Sequence, residues 1–207
     1  MKMLNLLALA TLLSVGSSHA STCTSVKNVS ATFNSQLTTV FALAKGTKLE
    51  AIFNETSKTA SPITLFLPTN LAFGKLPTSV TEAVTKSSSL RESVLLDHGI
   101  EGRINFVKFL STFDSLPYIN SKLTEQDLLK AGFPQSLNKG NFFFGGAALR
   151  NGGTNLIAKT ELNWGSADSA FRGQFRDGQA TLLGVDYETC VGLVHVIDTV
   201  ITRRDEH

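Results

Sequence analysis

The feature that most limits what this chain can fold into is a change of texture along its length. In the first two thirds the apolar residues recur at helical spacing. From Phe142 onward they come in short runs separated by glycine. Phe33, Leu37, Val40, Phe41 and Ala44 follow the i, i+3, i+4 pattern and predict a helix over 33–44, with Gly46 placed to end it. Leu49 to Asn54 predicts a second, carrying Leu49, Ile52 and Phe53 on one side. Ile63 to Leu67 is a compact apolar run closed by Pro68, which suits a buried strand, and Thr69 or Asn70 can cap the turn that follows. Ser79-Val80-Thr81-Glu82 and Ser89-Leu90-Arg91-Glu92 have the form of capping boxes, opening helices that run to about Lys86 and His98. Thr124-Glu125-Gln126-Asp127 is a weaker start, with Leu128 and Leu129 behind it and Gly132 as a stop. Phe142 to Phe144, Asn155 to Ile157 and Leu193 to Ile201 read as strands, divided by Gly145-Gly146, Asn151-Gly152-Gly153 and Asp177-Gly178 turns. Helices first and strands afterwards indicate an α+β fold rather than alternating α/β.

Residues 1–20 read as a secretory signal peptide. Met1-Lys2-Met3 gives a positive start, and Leu4 to Val15 is an apolar run interrupted by Asn5, Thr11 and Ser14. Ser18-His19-Ala20 then places small residues where a signal peptidase cuts. The run is short for a bilayer span and no stop-transfer segment follows, so cleavage before Ser21 is expected over an uncleaved anchor. The terminal Thr202-Arg203-Arg204-Asp205-Glu206-His207 has neither a hydrophobic tail nor a retention signal, so a secreted, extracellular protein of residues 21–207 without a membrane anchor is expected. In an oxidising compartment two thiols pair by default, which makes a Cys23–Cys190 disulfide the expectation over two free buried thiols. Asn28-Val29-Ser30 and Asn54-Glu55-Thr56 match the N-glycosylation pattern, making Asn28 and Asn54 candidate glycan carriers in a eukaryotic host.

Several classes of chemistry find no support. Lys+Arg of 19 against Asp+Glu of 17 leaves a formal charge of +2 with no basic run, which argues against nucleic acid as a partner. Two cysteines cannot build a four-ligand zinc site, and no metal or cofactor is expected. The chain has no G-x-S-x-G elbow, H-E-x-x-H pair, P-loop or dinucleotide fingerprint, and too few histidines for a multicopper oxidase. A triad of residues distant in sequence stays open. A non-catalytic protein, with no catalytic residue assigned, is the expectation.

Three segments together resemble the fasciclin (FAS1) domain family. Thr64-Leu65-Phe66-Leu67-Pro68-Thr69-Asn70-Leu71-Ala72-Phe73 with Leu76-Pro77 is similar to its first motif. Leu95-Leu96-Asp97-His98-Gly99-Ile100-Glu101-Gly102-Arg103 is similar to its central motif, and Gly192-Leu193-Val194-His195-Val196-Ile197-Asp198-Thr199-Val200-Ile201 to its closing strand. The resemblance covers about 36–202 and implies a single FAS1 fold over 21–207, short helices packed on a β-wedge. Pro68, Thr69, Asn70, Phe73, His98, His195 and Asp198 are then framework residues, the two histidines being satisfied core groups rather than ligands or catalysts. Asp97 departs from the family's usual tyrosine, which weakens transfer of the integrin-type adhesive role proposed for that motif. Residues 162–183 read as an insertion, a loop or extra hairpin, whose Trp164, Phe171, Arg172 and Phe175 form a candidate binding surface or a self-packed loop.

The resemblance further extends to small secreted single-domain fungal members that accompany laccase-type oxidoreductases in aromatic polyketide pigment biosynthesis. It implies an accessory protein that binds the enzyme or an aromatic intermediate. The alternative is a cell-adhesion module contacting extracellular-matrix or cell-wall components, and a further one is an enzyme acting on a small aromatic substrate.

Overall fold

The computed structural model describes residues 23–33, 35–105, 125–130, 133–139, 141–152, 155–165 and 178–202. The first half of this set holds short helices: α1 (Val26–Thr32), α2 (Thr38–Ala44), α3 (Lys48–Asn54), α4 (Asn70–Gly74), α5 (Thr78–Lys86) and α6 (Ser88–Leu96). Strands β1 (Ile63–Pro68) and β2 (Gly99–Glu101) are set among them, and α7 (Glu125–Lys130) follows. The second half supplies β3 (Phe142–Gly152), β4 (Asn155–Gly165), β5 (Gly178–Thr189) and β6 (Gly192–Ile197). The strands form one six-stranded sheet in the order β2-β1-β6-β5-β4-β3. Helices and sheet segregate as the texture of the chain predicts.

The first apolar run and the last strand lie side by side at the centre of that sheet. β1 and β6 pair in parallel, from Ile63 opposite Gly192 to Pro68 opposite Ile197. Both are buried on both faces, which is why they read as continuous apolar runs rather than as alternating ones. Alternate residues serve two cores. Leu65, Leu67, Val194 and Val196 face the helices with Leu37, Val40, Leu49, Phe53, Phe73 and Leu95. Phe66 and Ile197 face the other way, against Phe143, Leu162, Trp164, Ile100 and Ile201. Each large side chain buried in this way contributes about 1.5–3 kcal/mol. Gly192 makes the close approach of β6 to β1 possible: its φ is +139°, and a Cβ there would run into the Ile63 carbonyl.

Several local expectations are corrected. Of the helix expected over 33–44 only Thr38–Ala44 forms, as α2, because Phe33 caps the preceding α1 and Ser35 takes a left-handed φ of 63°. The break is stabilised from a distance: Asn70 Nδ2 donates to the Ser35 carbonyl, and the Thr39 N–H donates to Asn70 Oδ1 at 2.9 Å. Neither capping box forms. α5 starts after Pro77, and α6 after Ser87, whose hydroxyl accepts from the Leu90 N–H. Glu82 pairs instead with Lys86 and Glu92 with Lys48. α6 ends at Leu96, short of His98. Gly145-Gly146 is no turn but the interior of β3, and the closing strand stops at Ile197, not Ile201.

The stretch read as an insertion over 162–183 is framed by structural strands. Leu162 and Trp164 end β4, Gly178 to Leu183 begin β5, and the two pair from Glu161–Thr181 to Trp164–Gly178. Beyond that seam, among the described residues, β4 pairs with β3 alone, and the two run on as a two-stranded ribbon to Gly152 opposite Asn155. Cys23 and Cys190 form the expected disulfide, with Cα atoms 5.0 Å apart. It fastens the start of α1 to the β5–β6 turn, where the Cys190 N–H also donates to the Thr24 carbonyl.

Candidate functional site

The three motifs converge on one polar seam through the centre of the molecule. Thr69, N-cap of α4, accepts from the Ala72 N–H through its hydroxyl and donates its own N–H to the Ile197 carbonyl. Asn70 holds the α1–α2 junction, Pro68 ends β1 in the interior, and Phe73 packs into the helical core. Asp198 Oδ1 accepts from the Thr181 N–H and the Thr199 hydroxyl, while Lys75 lies 3.5 Å from Oδ2. Burial pushes the Asp198 carboxyl up, but those two donors and the Lys75 charge outweigh it and hold the group below the usual carboxylate range.

Both motif histidines are locked as neutral rings. His98 Nδ1 donates to the Val94 carbonyl at 2.7 Å, capping one of the last carbonyls of α6, and Nε2 accepts from the Ile201 N–H at 2.9 Å. Its backbone carbonyl accepts from the Phe66 N–H, so one residue ties α6, β1 and the C-terminal segment together. Burial drives its pKa down to about 4, with the Val94 bond opposing. His195 stacks on Phe66 with centroids 5.4 Å apart. Its Nε2 donates to the Ile104 carbonyl at 3.1 Å, and its Nδ1 accepts from the Asp186 N–H at 3.3 Å. Burial lowers its pKa, opposed by the Ile104 bond and the Asp186 charge. Neither ring has a nitrogen open to a substrate. The framework reading of the histidines therefore has a bond-by-bond account.

Asp97, the departure from the family pattern, is 1% exposed. Ser136 Oγ donates to its Oδ1 at 2.8 Å, and Asn138 Nδ2 donates to Ser93 Oγ at 2.7 Å while lying 3.5 Å from Asp97 Oδ2. The segment 133–139 is thereby bound to α6 and to β2, where Ser136 bridges Ile100 and the Leu137 N–H donates to the Gly99 carbonyl. The side-chain amide of Asn141 is fully buried, with neither atom hydrogen-bonded among the described residues. In front lies an open groove of about 300 Å³ lined by Glu101, Leu129, Gln135, Ser136, Leu137 and Lys139. The sequence reading missed this cluster. Its one signal was the carboxylate at Asp97, which in a buried position requires donors from elsewhere.

The candidate surface at 162–183 is corrected in part. Trp164 is 2% exposed and its Nε1 donates to the Thr202 carbonyl at 3.0 Å, so it is a core residue. An inward position on β4, opposite Phe143, is the reason. Phe171, Arg172 and Phe175 lie outside the described residues. Asn28 and Asn54 are both exposed, on α1 and at the end of α3. Among the described residues no group of three or more His, Cys, Asp or Glu side chains could hold a metal ion, and no helix is long and apolar enough to cross a membrane.

Comparison with known proteins agrees with this architecture. The immunogenic protein MPB70 of Mycobacterium bovis and MPT70 of Mycobacterium tuberculosis are each 31% identical to this chain over 105 residues. Those alignments span 50% of this chain and 54% of the relative. A FAS1 domain pair from the insect cell adhesion molecule fasciclin I shares the fold with a TM-score of 0.51 and 19% identity, over 82% of this chain and 46% of that one. The family model described as the fasciclin domain matches residues 35–203, which take in all three motifs, and the chain belongs to that family.

Proposed function

We propose that this chain is a secreted, non-catalytic fasciclin-type domain that docks through its surface to cell-wall or matrix material. The observation that carries the reading is how the motif side chains are used: His98, His195, Thr69, Asn70 and Asp198 are all engaged with backbone or neighbouring groups. Three grooves among the described residues, of about 90, 230 and 300 Å³, reach only the lower edge of the ~300–1,000 Å³ of small-molecule sites. Recognition by the exterior is in keeping with these volumes, and the groove bordered by Glu101 and Lys139 is the proposed contact. The adhesion molecule that shares the fold is in keeping with this role.

Assistance to laccase-type oxidoreductases on an aromatic polyketide is the competing proposal. It rests on the fungal resemblance, and the burial of Trp164 removes the anchor of its candidate surface. One experiment separates the two. The purified protein is incubated with isolated walls or matrix, beside Glu101→Lys and Lys139→Glu variants. Saturable retention that the reversals weaken supports the proposal. No retention, together with an altered product pattern when a secreted laccase is run with and without the protein, replaces it by the accessory reading.

A further inference from the structure

The three covalent features that secretion allows on this chain gather at one place. The disulfide holds Cys23 just ahead of α1, and Cys23 Sγ lies 3.4 Å from the carbonyl oxygen of Thr56, the hydroxyl residue of the second acceptor sequence. α1 packs against α3. As a result Lys27, the neighbour of Asn28, and Asn54 line the same small groove, together with Phe41, Lys45, Glu50 and Phe53. The two acceptors, 26 positions apart in sequence, therefore lie exposed on two helices that pack against each other. Their surroundings suit attachment. α1 buries Val26 and Val29 and α3 buries Leu49 and Phe53, leaving Asn28 and Asn54 exposed. Asn54 Nδ2 donates to the Glu50 carbonyl at 2.9 Å, and the single N–H that an amide keeps after glycosylation is enough for that bond.

We infer that, in a eukaryotic secretory pathway, Asn28 and Asn54 carry a pair of adjacent N-linked glycans that cover the α1–α3 face. The donor is an oligosaccharide on a lipid pyrophosphate. The amide nitrogen bonds to C1 of the first sugar, the C1–O bond to the pyrophosphate breaks, the lipid pyrophosphate departs and one amide proton is lost. The glycans screen Lys27 and Lys45 and confine contacts to the remaining surface. The Glu101–Lys139 groove shares no residue with the covered one.

The test uses the full chain secreted from a eukaryotic host, with Asn28→Gln and Asn54→Gln variants. Intact mass should show two glycans on the parent, one on each single variant and none on the double. Amine acylation, read by peptide mass with Lys86 on α5 as the internal reference, should label Lys27 and Lys45 several-fold less before enzymatic trimming than after it. The inference is overturned by fewer than two glycans on the parent, or by two glycans with Lys27 and Lys45 labelled equally before and after trimming.

Discussion

Acidification should unfold this protein through its buried histidines, and His98 allows the effect to be worked out. Donation from Nδ1 to Val94 and acceptance at Nε2 from Ile201 are both satisfied only in the neutral ring. A proton on Nε2 would face the Ile201 N–H, with no acceptor for either. The folded pKa of about 4 lies below the ordinary 6.5. Between these values the unfolded chain binds the extra proton, so stability is fully present above pH 6.5 and is lost as pH falls toward 4. The difference between these values is worth about 3 kcal/mol in full, of which about 1 kcal/mol is lost by pH 5.5 and most of the rest by pH 4.5. His195, also lowered, adds loss of the same sign. Asp198 loses its contribution as pH falls through its ordinary value of 3.8 and below, so measurements held at pH 4.5 and above leave it nearly intact. The assay is urea unfolding from pH 7.5 to 4.5, followed by the fluorescence of Trp164, the chain's single tryptophan. His98→Gln keeps a donor and an acceptor but takes up no proton, so its loss between pH 7.5 and 4.5 should be smaller than wild type by about 2–3 kcal/mol. An unchanged slope in that variant, or a wild type that gains stability on acidification, refutes the reasoning.

Further outcomes are open to measurement. Reducing the disulfide, or replacing both cysteines by serine, releases a closure across a sequence separation of 167 residues. It should cost about 5 kcal/mol in the chain-entropy model, read as a fall in Cm and Tm with the fold retained at low temperature. Trp164→Phe should cost about 1 kcal/mol for the lost bond to Thr202, and Trp164→Ala about 3–5 kcal/mol; native Trp164 emission should be blue-shifted and move to the red on unfolding. Asp97→Ala should leave Ser136 and Asn138 without their carboxylate and cost about 1–3 kcal/mol. Hydrogen exchange should show it as faster opening of 133–139 than of β1.

Legibility in the sequence followed how local each determinant is. The buried run Ile63–Pro68, the helix ending at Asn54 and the Thr69 cap depend on their own side-chain pattern, and they stand where that pattern puts them. The α1–α2 break does not: Asn70, more than thirty residues away, supplies the acceptor that α2 needs. The capping boxes failed because starts one or two residues earlier were available after Pro77 and Ser87, freeing Glu82 and Glu92 for lysine partners. The aromatic and glycine texture of 162–183 resembles a binding loop, whereas its ends are strands whose alternate residues point into a core. Strand period alone does not say which face is inward.

By itself the amino-acid order determined the α+β segregation, the three motifs with their family, and the two cysteines that pair. These are matters of periodicity, residue type and redox chemistry, and they survive without knowledge of neighbours. Only the tertiary structure decided that His98 and His195 are closed off, that Trp164 is interior, that Asp97 is satisfied by Ser136 and Asn138, and that Asn28 and Asn54 lie exposed on helices packed against each other. The reason is the same in each case. A polar or aromatic side chain takes its role from groups brought to it by packing, and those groups lie 4 to 103 positions away along the chain.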